Sequence, residues 1–156
     1  MDYNLCDYNT VKKILSAHGF NFSKALGQNF IIDDSICPAM AEMLGADEKT
    51  GVLEVGPGVG VLTKELCKRA GKVVSVELDE RLYPVLEQTM ADYDNFELVK
   101  GDVMKLDLHA LIAEKFADCD EVKMCANLPY YLTSPVIMML LQSKLPITEI
   151  EVMVQQ

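Results

Sequence analysis

The sequence of 156 residues has no apolar run long enough to cross a bilayer. A spanning helix needs about 18 apolar residues in succession, and the longest runs here, such as residues 136–141, are far shorter. The start of the chain does not match a secretory signal either, because Asp2 and Asp7 stand where basic and then apolar residues are expected. Since 50% of the residues are apolar and 24% are charged, we expect a cytoplasmic enzyme or binding domain with one core.

Positive charge is scarce. The chain has 14 Lys and Arg residues against 24 Asp and Glu, a net charge of −10, which argues against unaided binding to a polyanion. The imbalance is uneven, because residues 1–30 hold Lys12, Lys13 and Lys24 against Asp2 and Asp7. That segment has a net charge of +1, so the remainder carries −11.

The five cysteines form no C-x-x-C pair, and their odd number gives no disulfide framework. We expect reduced thiols that act as small buried hydrophobic side chains, and no metal site. The two histidines, His18 and His109, lie outside every motif, and His109 is expected at the surface.

From about residue 34 onward, apolar runs of strand length alternate with helical patterns. Strands separated by helices of this length predict an α/β fold with a parallel sheet covered on both faces. The predicted strands are residues 51–55, 73–76, 96–100, 121–126 and 147–154. The predicted helices are 33 or 34 to 44, 61–69, 79 or 80 to about 90, 108–116 and 136–143. Asp33 or Asp34 is expected to cap the first of these helices and Gly45 to end it, Asp79 or Glu80 to open the third, and Ser134-Pro135 to open the last. Ahead of this core, residues 10–18 predict a short amphipathic helix closed by Gly19, and residues 21–30 predict a loop.

A glycine-rich turn follows the first predicted strand: Glu54-Val-Gly56-Pro-Gly58-Val-Gly60. Such a turn, opening a helix, lets the backbone approach a ligand closely. A dinucleotide fingerprint would need glycine at position 61, which is Val61, and Pro57 removes an N–H that could hold a phosphate. A nucleoside without pyrophosphate, such as S-adenosylmethionine, therefore suits the turn better than NAD. The alternative is a tight strand–helix turn with no ligand.

Acidic residues end the next two predicted strands. Glu77 lies 21 positions beyond Gly56, near the offset at which an acid accepts hydrogen bonds from ribose hydroxyls. Asp102 follows the third strand and could accept the exocyclic amine of a bound adenine. The alternatives are a solvated strand end for Glu77 and a turn residue capping its own backbone for Asp102.

The most specific motif is Asn127-Leu128-Pro129-Tyr130, placed directly after the fourth predicted strand. An adenine N6 amine is a poor nucleophile because its lone pair is delocalised into the ring. Acceptance of its two hydrogens by the Asn127 side chain and the Leu128 carbonyl would favour attack, Pro129 would stiffen the turn, and Tyr130 would stack on an extruded base. The alternative is an Asx-Pro turn.

These motifs stand in order along nearly the whole chain and resemble those of the ribosomal RNA small-subunit adenine-N6,N6 dimethyltransferases of the KsgA type. They are Lys24-x-x-Gly27-Gln28-Asn29-Phe30, Glu54-x-Gly56-Pro57-Gly58-x-Gly60, Glu77, Gly101-Asp102-Val103 and Asn127-Leu128-Pro129-Tyr130-Tyr131-x-Thr133-Ser134-Pro135.

The resemblance implies a Rossmann-like methyltransferase fold, S-adenosyl-L-methionine as cofactor, and dimethylation of two adjacent adenosines near the 3′ end of 16S rRNA during ribosome biogenesis. The implied partner is small-subunit rRNA in a pre-30S particle, with no metal and no membrane. The resemblance assigns residues 1–33 to an N-terminal helix and a loop that covers the cofactor, and residues 34–156 to the core. It implies cofactor-binding roles for Asn29, Ile31, Gly56, Gly58, Glu77, Asp102 and Asn127, and catalytic roles for Asn127, Leu128, Pro129 and Tyr130.

Two alternatives remain. Related large-subunit rRNA methyltransferases that confer macrolide resistance share much of the pattern, although their motifs tend toward S-Q-N-F and N-I-P-Y. A non-catalytic rRNA-binding or ribosome-assembly module could also keep the fold without turnover. An NAD-dependent dehydrogenase is disfavoured by Val61 and by the lack of a hydride-transfer histidine motif.

Members of the family continue past the fifth strand with further strands and a small helical domain, whereas this sequence stops at Gln156. We therefore expect a sheet truncated before its final strands, weak cofactor binding and little activity from the chain alone. The fifth strand is expected to be an exposed edge that permits self-association.

Overall fold

The computed structural model describes residues 2–20 and 35–155. The elements in chain order are α1 Tyr8–Ala17, α2 Ile36–Leu44, β1 Thr50–Val55, α3 Val61–Cys67, β2 Lys72–Glu77, a 3₁₀ turn Glu80–Leu82, α4 Tyr83–Thr89, β3 Phe96–Lys100, α5 Leu108–Lys115, β4 Glu121–Pro129, α6 Tyr130–Ser143 and β5 Glu149–Gln155.

The five strands form one sheet in the order β3-β2-β1-β4-β5, and all four neighbouring pairs are parallel. Alternate residues of β1 face opposite sides: Val52 belongs to a core packed against α1 to α4, whereas Leu53 belongs to a core packed against α5 and α6. Because both faces are covered, every residue of β1 is buried. The predicted parallel sheet covered on both faces is confirmed.

The order of the strands creates a switch point beside β1. From β1 the chain moves outward through β2 and β3, and it then returns to place β4 on the other side of β1. In open parallel sheets, the crevice at the carboxyl ends of the strands at such a point is where ligands bind. The carboxyl ends of β1, β2, β3 and β4 carry the glycine-rich turn, Glu77, Asp102 and Asn127, respectively.

The helix ends carry clear local signals. The carboxylate of Asp7, which was not predicted as a cap, accepts the backbone N–H of Thr10 at 3.0 Å at the start of α1. As predicted, Gly45 ends α2, in a left-handed conformation with φ of 68°. Asp79 caps the 3₁₀ turn that leads into α4. The predicted caps of α2, Asp33 and Asp34, lie outside the described residues.

The prediction for the junction between β4 and α6 is wrong. The strand does not end at residue 126 but continues through Pro129, because its residues pair with β5 as far as Pro129 opposite Gln155. The helix begins at once at Tyr130, so Pro135 lies inside it and does not open it. Proline at this position removes one hydrogen bond near the start of a helix of 14 residues, which the remaining turns tolerate.

The N-terminal segment packs on one face of the sheet. The apolar stripe of α1, formed by Val11, Ile14 and Leu15, is buried in the core that also contains α3 and α4. The predicted amphipathic helix is thus confirmed, two residues longer at its start, with Gly19 following it at a φ of 84°. The predicted loop at 21–30 lies outside the described residues.

Candidate active site

The turn after β1 has a backbone that only glycine adopts without strain. Gly56, Gly58 and Gly60 have φ values of 75°, 60° and 101°, all in the left-handed region. The N–H of Gly56 donates to the carbonyl oxygen of Val76 at 3.1 Å, which ties the turn to β2. Val61 then begins α3, so the helix N-terminus opens directly behind the turn.

Gly56 is also where the turn touches β4. A Cβ atom added to Gly56 would lie 2.6 Å from the backbone carbonyl oxygen of Asn127, which is closer than real Cβ contacts. The glycine therefore sets the distance between the glycine-rich turn and the motif that begins at Asn127. Any larger side chain would push the two apart.

Glu54 holds the glycine-rich turn in place through hydrogen bonds to the neighbouring elements, a role that was not predicted from the sequence. Its side chain has no exposed surface, and Oε1 accepts the hydroxyls of Thr63 on α3 at 2.5 Å and Ser75 on β2 at 2.7 Å. Burial raises the pKa of Glu54 to about 7, although the two hydroxyl hydrogen bonds act in the opposite direction. An acidic residue inside an otherwise apolar buried strand was the sequence signal for this role.

Glu77 is the last residue of β2 and is only 8% exposed. Its carboxylate accepts the backbone N–H of Asp79 at 3.0 Å, and the backbone N–H groups of Gly58 and Leu78 also donate to it. Burial raises the pKa of Glu77, while these hydrogen bonds partly offset the effect. The bond from Gly58 brings the glycine-rich turn and the end of β2 together, as the motif spacing predicts.

Asp102 lies at the same edge but is engaged locally. Its Oδ1 accepts the backbone N–H of Met104 at 2.9 Å, which is the turn-capping alternative raised from the sequence. The preceding residue, Gly101, donates its N–H to the carbonyl oxygen of Glu77 at 2.9 Å, so the end of β3 is held beside the end of β2.

Asn127 lies within β4, opposite Met153 of β5. Its side-chain oxygen Oδ1 is buried and has no hydrogen-bond partner among the described residues. A buried amide oxygen left unpaired costs about 1–3 kcal/mol, so this atom is a strong indication of a missing donor. The side chain of Leu128 is buried, and those of Pro129 and Tyr130 lie outside the described residues.

The structure thus brings together Gly56, Gly58, Glu77 and Asn127 at the carboxyl edge, with Asp102 beside them. The expected roles of Asn29 and Ile31 fall on residues that the structure does not describe. In residues 2–20 and 35–155, no group of three or more His, Cys, Asp or Glu side chains could hold a metal ion. In the same ranges, no helix is long and apolar enough to span a membrane.

The five cysteines are free; three are buried, as predicted, whereas Cys6 and Cys119 are only half-buried. Three of them, Cys37, Cys67 and Cys125, are buried in the core beside α2 and α3, and burial raises the pKa of Cys37 and Cys67 to about 12. His109 is exposed, also as predicted, and its Nε2 lies 2.7 Å from the carbonyl oxygen of Ser143.

Sequence comparisons give one consistent result. A family model described as "Ribosomal RNA adenine dimethylase" matches residues 19–156. The protein named ribosomal RNA small subunit methyltransferase A from Bacillus licheniformis is 51% identical over 145 residues, which are 93% of this chain and 50% of that protein. The protein of the same name from Geobacillus sp. (strain WCH70) is 42% identical over 156 residues, all of this chain and 54% of that protein. The chain spans about half the length of the curated relatives that it matches.

Solved structures share the fold. The 23S rRNA methyltransferase ErmE is 28% identical, with a TM-score of 0.66, and the match covers 80% of this chain and 47% of that one. A dimethyladenosine transferase from Plasmodium falciparum is 25% identical, with a TM-score of 0.63, over 80% of this chain and 42% of the other. An RNA methyltransferase from Salinibacter ruber in complex with S-adenosyl-L-homocysteine is 16% identical, with a TM-score of 0.58, over 75% and 71% of the two chains. This last likeness concerns the fold alone.

Proposed function

The chain belongs to the ribosomal RNA adenine dimethylase family, and on that premise we propose that it carries the cofactor and base site of a small-subunit rRNA dimethyltransferase. The reaction is the S-adenosylmethionine-dependent dimethylation of N6 on two adjacent adenosines near the 3′ end of 16S rRNA. The substrate is the rRNA in a pre-30S particle, in the cytoplasm. Identities of 42–51% to proteins named ribosomal RNA small subunit methyltransferase A support the choice of subunit.

One observation carries the proposal: the buried Oδ1 of Asn127 at the carboxyl end of the sheet, which has no hydrogen-bond partner among the described residues. A hydrogen-bond donor that enters the crevice would satisfy this atom, and the N6 amine of an extruded adenine is such a donor. The atom stands on the strand next to the glycine-rich turn, whose Gly56 is in close contact with the backbone of Asn127. A methyl donor held by the turn and an acceptor for the amine would thus face one crevice.

The residues at this edge fit a bound nucleoside. The buried carboxylate of Glu77 could accept the ribose hydroxyls, and the open backbone of Gly56 and Gly58 allows close approach of the methionine part. Asp102 has one oxygen engaged in its turn, and the other could accept the adenine amine. Asn29 and Ile31 would cover the bound cofactor.

S-adenosylmethionine would supply an electrophilic sulfonium methyl group, whose bonding electrons stay on sulfur. The protein's task is then to position the adenine N6 and make its lone pair available. The Asn127 side chain and the Leu128 carbonyl would accept the two amine hydrogens and favour tetrahedral nitrogen, Pro129 would stiffen this segment, and Tyr130 would stack on the base. The methylated nitrogen loses its proton readily to water, so no strong general base is required.

We expect Asn127→Ala to lower methyl transfer about 100-fold, as the loss of one well-placed hydrogen-bonding group does in other enzymes. The measurement is transfer of labelled methyl groups to small subunits isolated from a strain without this modification. His109→Ala, at an exposed site, is the control and should retain the activity.

The alternatives have different outcomes in the same assay. Transfer to large subunits and not to small ones would favour the large-subunit reaction, which the likeness to ErmE keeps open. Binding of rRNA without transfer, even at high enzyme concentration, would favour a non-catalytic assembly module. Calorimetric titration with S-adenosylhomocysteine and with NAD provides a separate check, because only the former should bind.

A further inference from the structure

Helix α1 differs in charge from the rest of the protein. It contains Lys12 and Lys13 and no acidic residue, and both lysine side chains are exposed. Neither makes an ion pair with any described residue, whereas most of the other basic side chains do. Lys64 pairs with Asp2 at 2.6 Å, Lys115 with Glu97 at 2.5 Å and Lys123 with Glu149 at 3.2 Å. The charge of α1 is therefore available to a ligand.

The two lysines share a surface with other hydrogen-bonding side chains. Residues three or four apart lie on one side of a helix, and Asn9, Thr10, Lys12, Lys13 and Ser16 line one cavity of about 410 Å³. We call these five residues the α1 polar face. The opposite stripe of α1 is buried in the core, so the helix cannot rotate to hide this face.

The segment that carries this face reaches the carboxyl edge of the sheet. The ring of Phe20, three residues after the end of α1, lies 4.9 Å from the guanidinium of Arg81. Arg81 pairs with Asp79, whose backbone N–H donates to the carboxylate of Glu77 at 3.0 Å. His18 forms a second contact between the N-terminal segment and the core, because its Nε2 lies 2.7 Å from Oε1 of Gln88 on α4. The N-terminal segment is thus fixed beside the candidate cofactor site.

We propose that the α1 polar face binds the phosphate backbone of the RNA substrate while the target base enters the crevice; this inference rests on the proposed function. Lysine, serine and asparagine side chains are typical donors to phosphate oxygens, whereas the hydroxyl of Thr10 already donates to the carboxylate of Asp7 at 2.7 Å. A chain with a net charge of −10 repels a polyanion over most of its surface, so the RNA must approach where the field is least negative. Contacts of this kind position the RNA and carry no sequence information.

The test compares two variants with the same change in charge. Lys12→Gln/Lys13→Gln removes the charge of the α1 polar face, and Lys49→Gln/Lys144→Gln removes two exposed lysines at the opposite, amino edge of the sheet. Each is titrated with a fluorescent RNA of the 3′-terminal region of small-subunit rRNA between 50 and 200 mM KCl. The plot of log K against log[KCl] has a negative slope, and each lost phosphate contact should reduce the magnitude of this slope by about 0.7–0.9. We expect the magnitude to fall by about 1.5 for the first variant and to stay unchanged for the second.

Binding of S-adenosylhomocysteine separates this inference from the proposed function, because it should be equal in the wild type and both variants. If the wild type binds RNA and the cofactor product but Lys12→Gln/Lys13→Gln keeps the full salt dependence, the inference is wrong and the proposed function stands. If the wild type binds no RNA, both are overturned. If the first variant loses only binding to anionic phospholipid vesicles, the face is a membrane contact and the inference is likewise overturned.

Discussion

At the scale of single residues, Glu54 determines how the core responds to pH. Burial raises its pKa from an ordinary 4.5 to about 7 in the folded protein. Between these values the native state binds more protons than the unfolded state, so the free energy of unfolding contributed by this group falls as the pH rises. The contribution is fully present below pH 4.5 and is lost as the pH passes through about 7.

We expect Glu54→Gln to remove this dependence, because the amide cannot ionise and its oxygen still accepts the hydroxyls of Thr63 and Ser75. Relative to the wild type, the free energy of unfolding of the variant should rise by on the order of 2–3 kcal/mol from pH 5 to pH 8. Urea denaturation at several pH values measures it, with Glu42→Gln on the exposed face of α2 as control. A difference that stays constant with pH would contradict the assignment.

Gly56 offers a second test at this scale, with Gly19 as a matched control. Both have positive φ, 75° and 84°, so alanine strains the backbone at either position by about 1–2 kcal/mol. Of the two positions, only at 56 does the new Cβ meet an atom of the described residues, the carbonyl oxygen of Asn127; at position 19 no atom of the described residues lies within 4 Å. We expect Gly56→Ala to weaken S-adenosylhomocysteine binding at least about tenfold by calorimetry, and Gly19→Ala to leave it unchanged. Equal affinities for the two variants would show that the contact does not shape the site.

At the scale of elements, the sequence correctly predicts the strand and helix boundaries that local signals determine. Strand β3 is predicted to the residue, and Gly45 and Asp79 mark helix ends correctly, because a cap or a left-handed glycine acts within a few residues. The junction of β4 and α6 is mispredicted because the length of β4 depends on pairing with β5, which lies some 26 residues further along the chain. Pro135 is typical of a helix start, but the pairing with β5 extends β4 to Pro129, and the helix begins directly after it at Tyr130.

The candidate site also has features that the sequence predicts and features that only the structure shows. Parallel strands bring their carboxyl ends to one edge, so motifs that follow predicted strands could be placed together from the sequence. The oxygen of Asn127, unpaired among the described residues, the anchoring role of Glu54 and the turn that engages Asp102 depend on side-chain contacts between elements or on backbone geometry. Only the structure shows them.

At the scale of the whole molecule, the two edges of the sheet differ in protection. At the β3 edge, Glu97 forms ion pairs with Lys72 and Lys115, and charged side chains on an edge strand discourage pairing with another sheet. At the other edge of the described sheet, β5 pairs only with β4; its first residue, Glu149, forms an ion pair with Lys123, but apolar side chains are exposed further along β5 and on α6: Ile150 by 37%, Leu141 by 64% and Met138 by 53%. An unpaired strand beside exposed apolar surface is a site of self-association.

We therefore expect two copies of the chain to associate through β5, and to do so more strongly as salt rises, because salt screens the repulsion between molecules of net charge −10. RNA binding should respond to salt in the opposite direction, so the two processes can be told apart in one buffer series. Sedimentation velocity at 50 and 500 mM NaCl measures the association. Ile150→Lys places a charge on the edge and should abolish it, whereas Met43→Lys, on α2 at a site 75% exposed, should not. Dimers that persist in Ile150→Lys, or that weaken with salt, would locate the contact elsewhere.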